Sequence, residues 1–282
     1  MTLDKITFTR SDSRIRSKVR EAIDEHGCAL IADLYDKAET QAIQDAASDL
    51  EARAMGEDSE FYKEGSVWAI KSVFDLSSDL ARLTQTRAFA SLLTATVDDD
   101  PMLLHAATMM GKRGGETEPV AWHQDNGIPV DRDLHDERRK GVREGGVPYR
   151  FGTKDVLDLC IECRVHVDIQ REEGGCLVVM PGSHRWEVMD YDGVAEKIGD
   201  QPGLACPAPA GSALIFRPML AHMSHPPRKP LPDGESRRTI QIQYAAESAK
   251  PEKGLNFYRW KQPVRLTPDG AELQPTADCN DA

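Results

Sequence analysis

The 282-residue chain lacks any run approaching the ~18 consecutive apolar residues of a membrane-spanning helix. Its opening stretch, Met1 to Arg20, is polar and charged where a secretory signal would be apolar. Both absences lead us to expect a cytoplasmic protein with no membrane partner. A basic tract is missing too: 35 Lys and Arg stand against 47 Asp and Glu, a formal charge of −12, so a groove for nucleic acid is not expected. That total does not exclude a small acidic substrate held by a few placed arginines. The six cysteines, Cys28, Cys160, Cys163, Cys176, Cys206 and Cys279, are too scattered in a chain of this length to be a disulfide framework. Cys160 and Cys163 have the spacing of a redox or zinc pair. They lie in an alternating run, however, where positions three apart face opposite sides, so packing is the preferred reading. No internal repeat is present, and the 40% hydrophobic content is enough for an ordinary soluble core.

What is there divides near Pro101. Before it, Ile15, Val19, Ala22 and Ile23, then Ala42, Ile43, Ala46 and Leu50, recur at helical spacing, with the apolar run Cys28 to Ile31 between them as a possible strand. Ser78 to Val97 reads as a further helix. After it, short apolar or alternating runs follow one another between Gly and Pro turns: Met102 to Met110, Val156 to Ile169, Cys176 to Met180, Ala213 to Phe216 and Thr239 to Ala245. The pattern predicts a β-sandwich or barrel carrying helices on its N-terminal side. The charged, glycine-bearing segment from 127 to 150 interrupts the strands as a lid candidate. Beyond Trp260 a polar tail, 263–282, is expected to be loosely ordered.

Trp122-His123-Gln124-Asp125 sets an imidazole and a carboxylate two residues apart, and in an extended segment such residues share a face. Two histidines and one carboxylate on one face of an octahedron leave room for a bidentate cosubstrate and dioxygen, the arrangement of non-haem Fe(II) oxygenases. His-x-Asp alone is a weak signal, and a surface pair would be the ordinary interpretation. Downstream, the apolar stretch from Ala213 ends on His222, and Arg237-Arg238-Thr239-Ile240-Gln241-Ile242-Gln243-Tyr244 alternates cleanly. Arg237, Thr239, Gln241 and Gln243 share one face; Arg238, Ile240, Ile242 and Tyr244 share the other. An arginine with a hydroxyl two residues on is a good clamp for a carboxylate.

In this order, His-x-Asp, then Glu173-Gly174-Gly175 leading to Pro181-Gly182-Ser183-His184-Arg185, then Gly211-Ser212-Ala213 leading to Leu220-Ala221-His222, then Arg-Arg-x-Ile, the chain resembles the phytanoyl-CoA dioxygenase family from about Met102 to Ala246. The resemblance implies a double-stranded β-helix, a jelly-roll barrel flanked by helices, in a single oxygenase domain over residues 1–282. It implies Fe(2+), 2-oxoglutarate and O2 as cofactor and cosubstrates, with His123, Asp125 and His222 as metal ligands. Arg237 and Thr239 would take the distal carboxylate of 2-oxoglutarate, and Gln124 would approach the cosubstrate. His225 is a rival third ligand, but it precedes Pro226-Pro227, where the chain leaves its strand. Lys112 as a second cosubstrate contact is disfavoured, because the segment Gly111 to Gly115 lacks the Lys-x-Pro seen in some relatives.

Other residues near these motifs are weighed for contact with a small-molecule substrate. Glu162, Arg164, His166 and Asp168 form the polar face of one strand, and Arg164 and His166 are candidates to line the pocket, against an internal ion-pair network as the alternative. Trp122 and His105 are further lining candidates, with packing an equal explanation; core filling is the default for Trp68. His184 and Arg185 belong to a turn expected to be structural. The chemistry expected is oxidation, most simply hydroxylation, of a C–H bond, with desaturation, cyclisation or epimerisation as alternative outcomes. Asp125 in place of a small residue argues against halogenation. From other classes, a ligand-binding barrel without turnover and a zinc hydrolase with the same ligands are the competing interpretations.

Overall fold

The computed structural model describes residues 1–54, 62–63, 66–67, 69–112, 119–143, 146–228, 236–252, 254–259 and 264–273. Trp68 and the side chain of Lys112 lie outside the described residues. No helix among the described residues is long and apolar enough to cross a membrane.

The architecture is a β-sheet sandwich with helices on its outer face. The larger sheet runs in the order Thr7–Phe8, Cys28–Ile31, Ala213–Phe216, Cys160–His166, Arg237–Ala246, Met102–Lys112, Val264–Thr267 and Gly270–Leu273, with Ala69–Lys71 also paired to Met102–Lys112. The smaller sheet runs Leu204–Ala205, Leu177–Val179, His222–Ser224, Val120–His123. Side-chain alternation divides the large sheet's residues between two cores. Ala29, Ile31, Ile161, Cys163, Val165, Ile215, Ile240, Ile242 and Tyr244 pack outward on the helices Ile15–His26, Lys37–Ala54, Ser78–Thr84 and Arg87–Ala95. Cys28, Leu30, Leu214 and Phe216 point inward and meet Leu177, Val179 and Cys206 of the second sheet and its surroundings. Arg164, Arg237, Thr239, Gln241 and Gln243 give the neighbouring strands a polar inward side, and there a cavity lies open.

Most predicted elements appear near their expected bounds, and four expectations are corrected. The helix expected over Ser78 to Val97 is two helices, because Thr86 breaks the first and caps the second by accepting a hydrogen bond from the Phe89 N–H. The strand expected from Val156 begins only at Cys160, after a helical turn over Lys154–Leu157. Segment 127–150 contains strands of its own: Gly127–Pro129, Arg139–Arg143 and Val147–Phe151 form an antiparallel three-stranded sheet whose Ile128 and Val130 pack with Met219 and Leu255. The tail is ordered over Val264–Leu273, where buried Val264 and Leu266 alternate ahead of a Pro268-Asp269-Gly270 turn and join the large sheet.

Arg238, on the helix-facing side, ties that sheet to the helix Lys37–Ala54. Its Nε and Nη2 donate to the two oxygens of Asp168 at 2.9 and 3.0 Å, and its Nη1 donates to Ser48 and Glu51. All three charged side chains are nearly buried, at 8, 12 and 4% exposure for Arg238, Asp168 and Glu51. Removing the guanidinium takes the cation away from two nearly buried carboxylates, so Arg238→Ala is expected to cost about 3–5 kcal/mol of stability in denaturant unfolding. Arg238 is thereby occupied in structure, leaving Arg237 to face the interior.

Candidate metal centre and its cavity

The strand Val120–His123 lies antiparallel to His222–Ser224, and the register makes His123 and His222 direct partners across the pair. Their rings therefore stand side by side, with centroids 4.2 Å apart. The chain then bends so that the Asp125 N–H donates to Pro218 O at 2.8 Å, which turns the carboxylate back to the two imidazoles. Asp125 Oδ1 lies 3.7 Å from His123 Nε2, and Oδ2 lies 3.4 Å from His222 Nε2. One ligand atom from each residue falls within 4.8 Å of the others. No other cluster of three such side chains occurs among the described residues.

The donor set fits a divalent metal in its details. Each imidazole is oriented through Nδ1, 2.8 Å from Ala121 O for His123 and 2.9 Å from Leu220 O for His222. An Nδ1–H donated to a carbonyl fixes the tautomer that presents a bare Nε2 to an ion. Burial, then the neighbouring His222, pulls His123 down to about 4, so it is neutral near pH 7. Burial opposes ionisation of Asp125, but the two adjacent imidazoles, His222 ahead of His123, outweigh it and hold the carboxyl well below its usual range. Gln241 Nε2 donates to Asp125 Oδ2 at 2.9 Å and to Glu162 Oε2 at 2.5 Å, orienting the carboxylate from behind. Gln241→Leu removes that support, and iron affinity is expected to fall about 10–100-fold in a competitive chelator titration.

The third ligand is also fixed by the Pro181-Gly182-Ser183-His184 turn. Ser183 Oγ accepts the Ala221 N–H at 2.7 Å while Ala221 O accepts the Met180 N–H at 2.9 Å, so the residue before His222 is pinned on both sides. The same turn docks the end of the first long helix: Gly182 N–H donates to His26 O, Arg185 Nη2 donates to Asp24 O, and His184 packs over Gly27. Gly27 sits at φ +82°, and a Cβ there would lie 2.5 Å from His184 Nδ1, so glycine is required.

A cavity of about 290 Å³ opens on the three ligands. Arg237, Thr239, Gln241 and Gln243 line it from one strand and Arg164 from the next, while Lys140, Val147 and Tyr149 reach it from segment 127–150. Arg237 is 7% exposed; its Nη1 donates to Gly174 O at 3.0 Å, and its buried Nε has no acceptor among the described residues. Burial, then the nearby Arg164, lowers its pKa to about 10, which still leaves it charged at neutral pH. A buried guanidinium with a donor unmatched is a cradle for an anion.

Several sequence candidates stand elsewhere. Gln124 was expected at the cosubstrate, yet in an extended segment it faces opposite to its neighbours His123 and Asp125. Its amide instead donates to Glu187 O and Met219 O and accepts the Met189 N–H, bracing the loop behind the metal centre. Trp122 likewise turns outward and packs with Val194 and Ile198. His105 falls at the register shift between Met102–Lys112 and Arg237–Ala246 and meets the Phe257 ring at 4.9 Å. His166 is buried, with Nδ1 2.8 Å from Ser212 Oγ, and burial, then Arg164 and Arg237, lower its pKa to about 3 and keep it neutral. None of these four is among the residues lining the cavity. The rival His225 lies past the end of the ligand strand, and Cys160 and Cys163 are buried free thiols in separate clusters.

Ser183, Tyr191, Lys71 and Lys140 carry no mark in the sequence as site residues, although Lys71 and Lys140 also line the cavity. Tyr191, exposed at the head of a helix, stacks on the His123 ring at 5.7 Å. No periodic signal marks it, whereas Gln241 was already on the Arg237 face by alternation. The depressed histidines carry a pH consequence. Between the unfolded value near 6.5 and folded values of about 4 for His123 and His184 and about 3 for His166, the unfolded chain binds more protons than the folded one. Stability of the metal-free protein should fall as pH drops from about 6.5 towards 4, read as a declining denaturation midpoint.

A family model described as phytanoyl-CoA dioxygenase matches residues 23–229. Similar folds occur in EctD from S. alaskensis with bound Fe (TM-score 0.66, 21% identity, 89% of this chain and 85% of that one) and in AviO1 from Streptomyces viridochromogenes Tue57 (0.61, 21%, 84% and 97%). The non-heme alpha ketoglutarate dependent epimerase SnoN from nogalamycin biosynthesis is also similar (0.60, 15%, 96% and 90%). No curated protein matches the sequence at a significant level. With the family model spanning well over half of its length, the chain belongs to the phytanoyl-CoA dioxygenase family of 2-oxoglutarate-dependent non-haem iron enzymes.

Proposed function

We propose that this protein is an Fe(II)- and 2-oxoglutarate-dependent dioxygenase that oxidises, most simply by hydroxylation, a C–H bond of a small-molecule metabolite or biosynthetic intermediate. The observation that carries the proposal is the joint presence, on one cavity, of the His123, Asp125, His222 set and a buried Arg237 whose Nε lacks an acceptor. Iron held there supplies activation of dioxygen coupled to oxidative decarboxylation of 2-oxoglutarate to succinate and carbon dioxide. His123 and His222 hold the metal through Nε2, their Nδ1 atoms oriented by backbone carbonyls, and Asp125 completes the set. Arg237 with Thr239 receives the distal carboxylate of 2-oxoglutarate, a bidentate match strengthened by burial. Val120, Leu177 and Met223 give the cavity an apolar wall beside the ligands.

A zinc hydrolase with the same ligands is the rival reading, and the Arg237 cradle favours the oxygenase, since hydrolysis has no use for a second dicarboxylate. The test is succinate release from 2-oxoglutarate under air, with Fe(II) or Zn(II) as the only added metal. Succinate formed with iron and not with zinc supports the proposal; hydrolytic activity with zinc and no succinate with iron refutes it. A metabolite screen for compounds that accelerate succinate release, followed by mass analysis of the product, separates hydroxylation from desaturation, ring formation and epimerisation. Five described cysteines are buried free thiols, which accords with a reducing, cytoplasmic setting.

A further inference from the structure

The cavity carries more positive charge than the cosubstrate clamp requires. The chain as a whole is acidic, at −12, yet its cavity is lined by Arg164, Arg237, Lys71 and Lys140, and Asp125 is the one acidic residue among the described lining. Lys71 and Lys140 are exposed and stand at the rim, with Lys140 Nζ donating to Asn126 Oδ1 at 2.7 Å. Arg164 is deep, at 8% exposure. It projects from the centre of Cys160–His166, directly across from Gln241, the residue that supports Asp125. Its Nη2 donates to the neutral Gln241 amide oxygen at 2.5 Å, and among the described residues its buried Nε has no acceptor and it forms no ion pair. The neighbouring Glu162 does not neutralise it by contact, since the two Glu162 oxygens accept from the Gln241 and Gln243 amides at 2.5 and 2.6 Å. A desolvated guanidinium is costly unless an anion completes it.

Resting on the dioxygenase reading above, we propose that Arg164 is a specificity-determining residue that binds the anionic group of the substrate, so that the enzyme acts on small organic anions. Arg237 serves the cosubstrate, four residues along the neighbouring strand, and Arg164 serves the second anion beside the metal ligands. The apolar lining accepts the substrate's carbon skeleton, and the rim lysines attract its charge on entry.

The test uses the full chain loaded anaerobically with Fe(II) and saturating 2-oxoglutarate, whose charge-transfer absorption reports the centre. Butyrate and butyramide, alike in shape and different in charge, are titrated into it, and the perturbation of the band is followed. For the wild type, butyrate is expected to act at a concentration about tenfold lower than butyramide. Arg164→Met should abolish that preference, and Arg164→Lys, which keeps the charge, should retain much of it. A merely structural role for Arg164 would not track charge in this way. Equal response to the two probes in the wild type, or a preference surviving in Arg164→Met, would overturn the proposal. So would loss of 2-oxoglutarate binding in Arg164→Met or bleaching of the band by butyrate, because the anion held would then be the cosubstrate's. Absence of the band in the wild type would instead refute the underlying dioxygenase reading.

Discussion

His123→Ala is expected to reduce succinate formation to background while leaving the protein folded. The imidazole contributes one of three ligand atoms, and its partner across the strand pair, His222, cannot replace it because its own Nδ1 is committed to Leu220 O. Two ligands would remain, Asp125 on its loop and His222 on its strand, too few to hold iron against chelation or to orient the cosubstrate. Stability should move little, since the ring lines a cavity wall and Gln241 and His222 still face the Asp125 carboxylate when it is removed. Thermal denaturation in chelator measures the second half of the expectation. Full succinate formation in the variant would remove His123 from the centre.

Arg237→Ala should act differently, through the cosubstrate. Among the described residues the guanidinium has one acceptor, Gly174 O, and a buried Nε without one. Truncation would leave the distal carboxylate of 2-oxoglutarate desolvated without a partner, a loss of about 2–5 kcal/mol, or roughly 30- to several-thousand-fold in the 2-oxoglutarate concentration required. Arg237→Lys should recover part of it, because a point charge replaces the two-pronged donor. An unchanged 2-oxoglutarate dependence in Arg237→Ala would place the clamp elsewhere, and Arg164 would be the residue to examine next.

The site was legible in the sequence where side chains obey strand alternation. That rule alone separated Arg237 from Arg238, and the structure gives Arg238 to Asp168 and Glu51 on the helix side. Applied to the same motif it would also have turned Gln124 away from His123 and Asp125, whereas family resemblance drew it inward. Trp122 and His105 were less accessible: their directions depend on the outer packing near Val194 and on a register shift, neither of which local periodicity encodes. The Val264–Leu273 hairpin escaped notice because its two core residues, Val264 and Leu266, are few among polar neighbours, and only pairing with Met102–Lys112 makes them a strand. Tertiary convergence explains the rest. The Arg164, Gln241, Glu162 and Asp125 network joins two strands and a loop far apart in the chain, and no spacing announces it.

Anaerobic titration of the metal-free protein with Fe(II) and 2-oxoglutarate is the most direct measurement of the central claim. A weak metal-to-ligand charge-transfer band in the visible region, saturating at one equivalent of iron, lost in His123→Ala and displaced to higher 2-oxoglutarate concentration in Arg237→Ala, is the predicted result. A wild-type protein that binds iron tightly yet develops no band at any 2-oxoglutarate concentration would contradict the account.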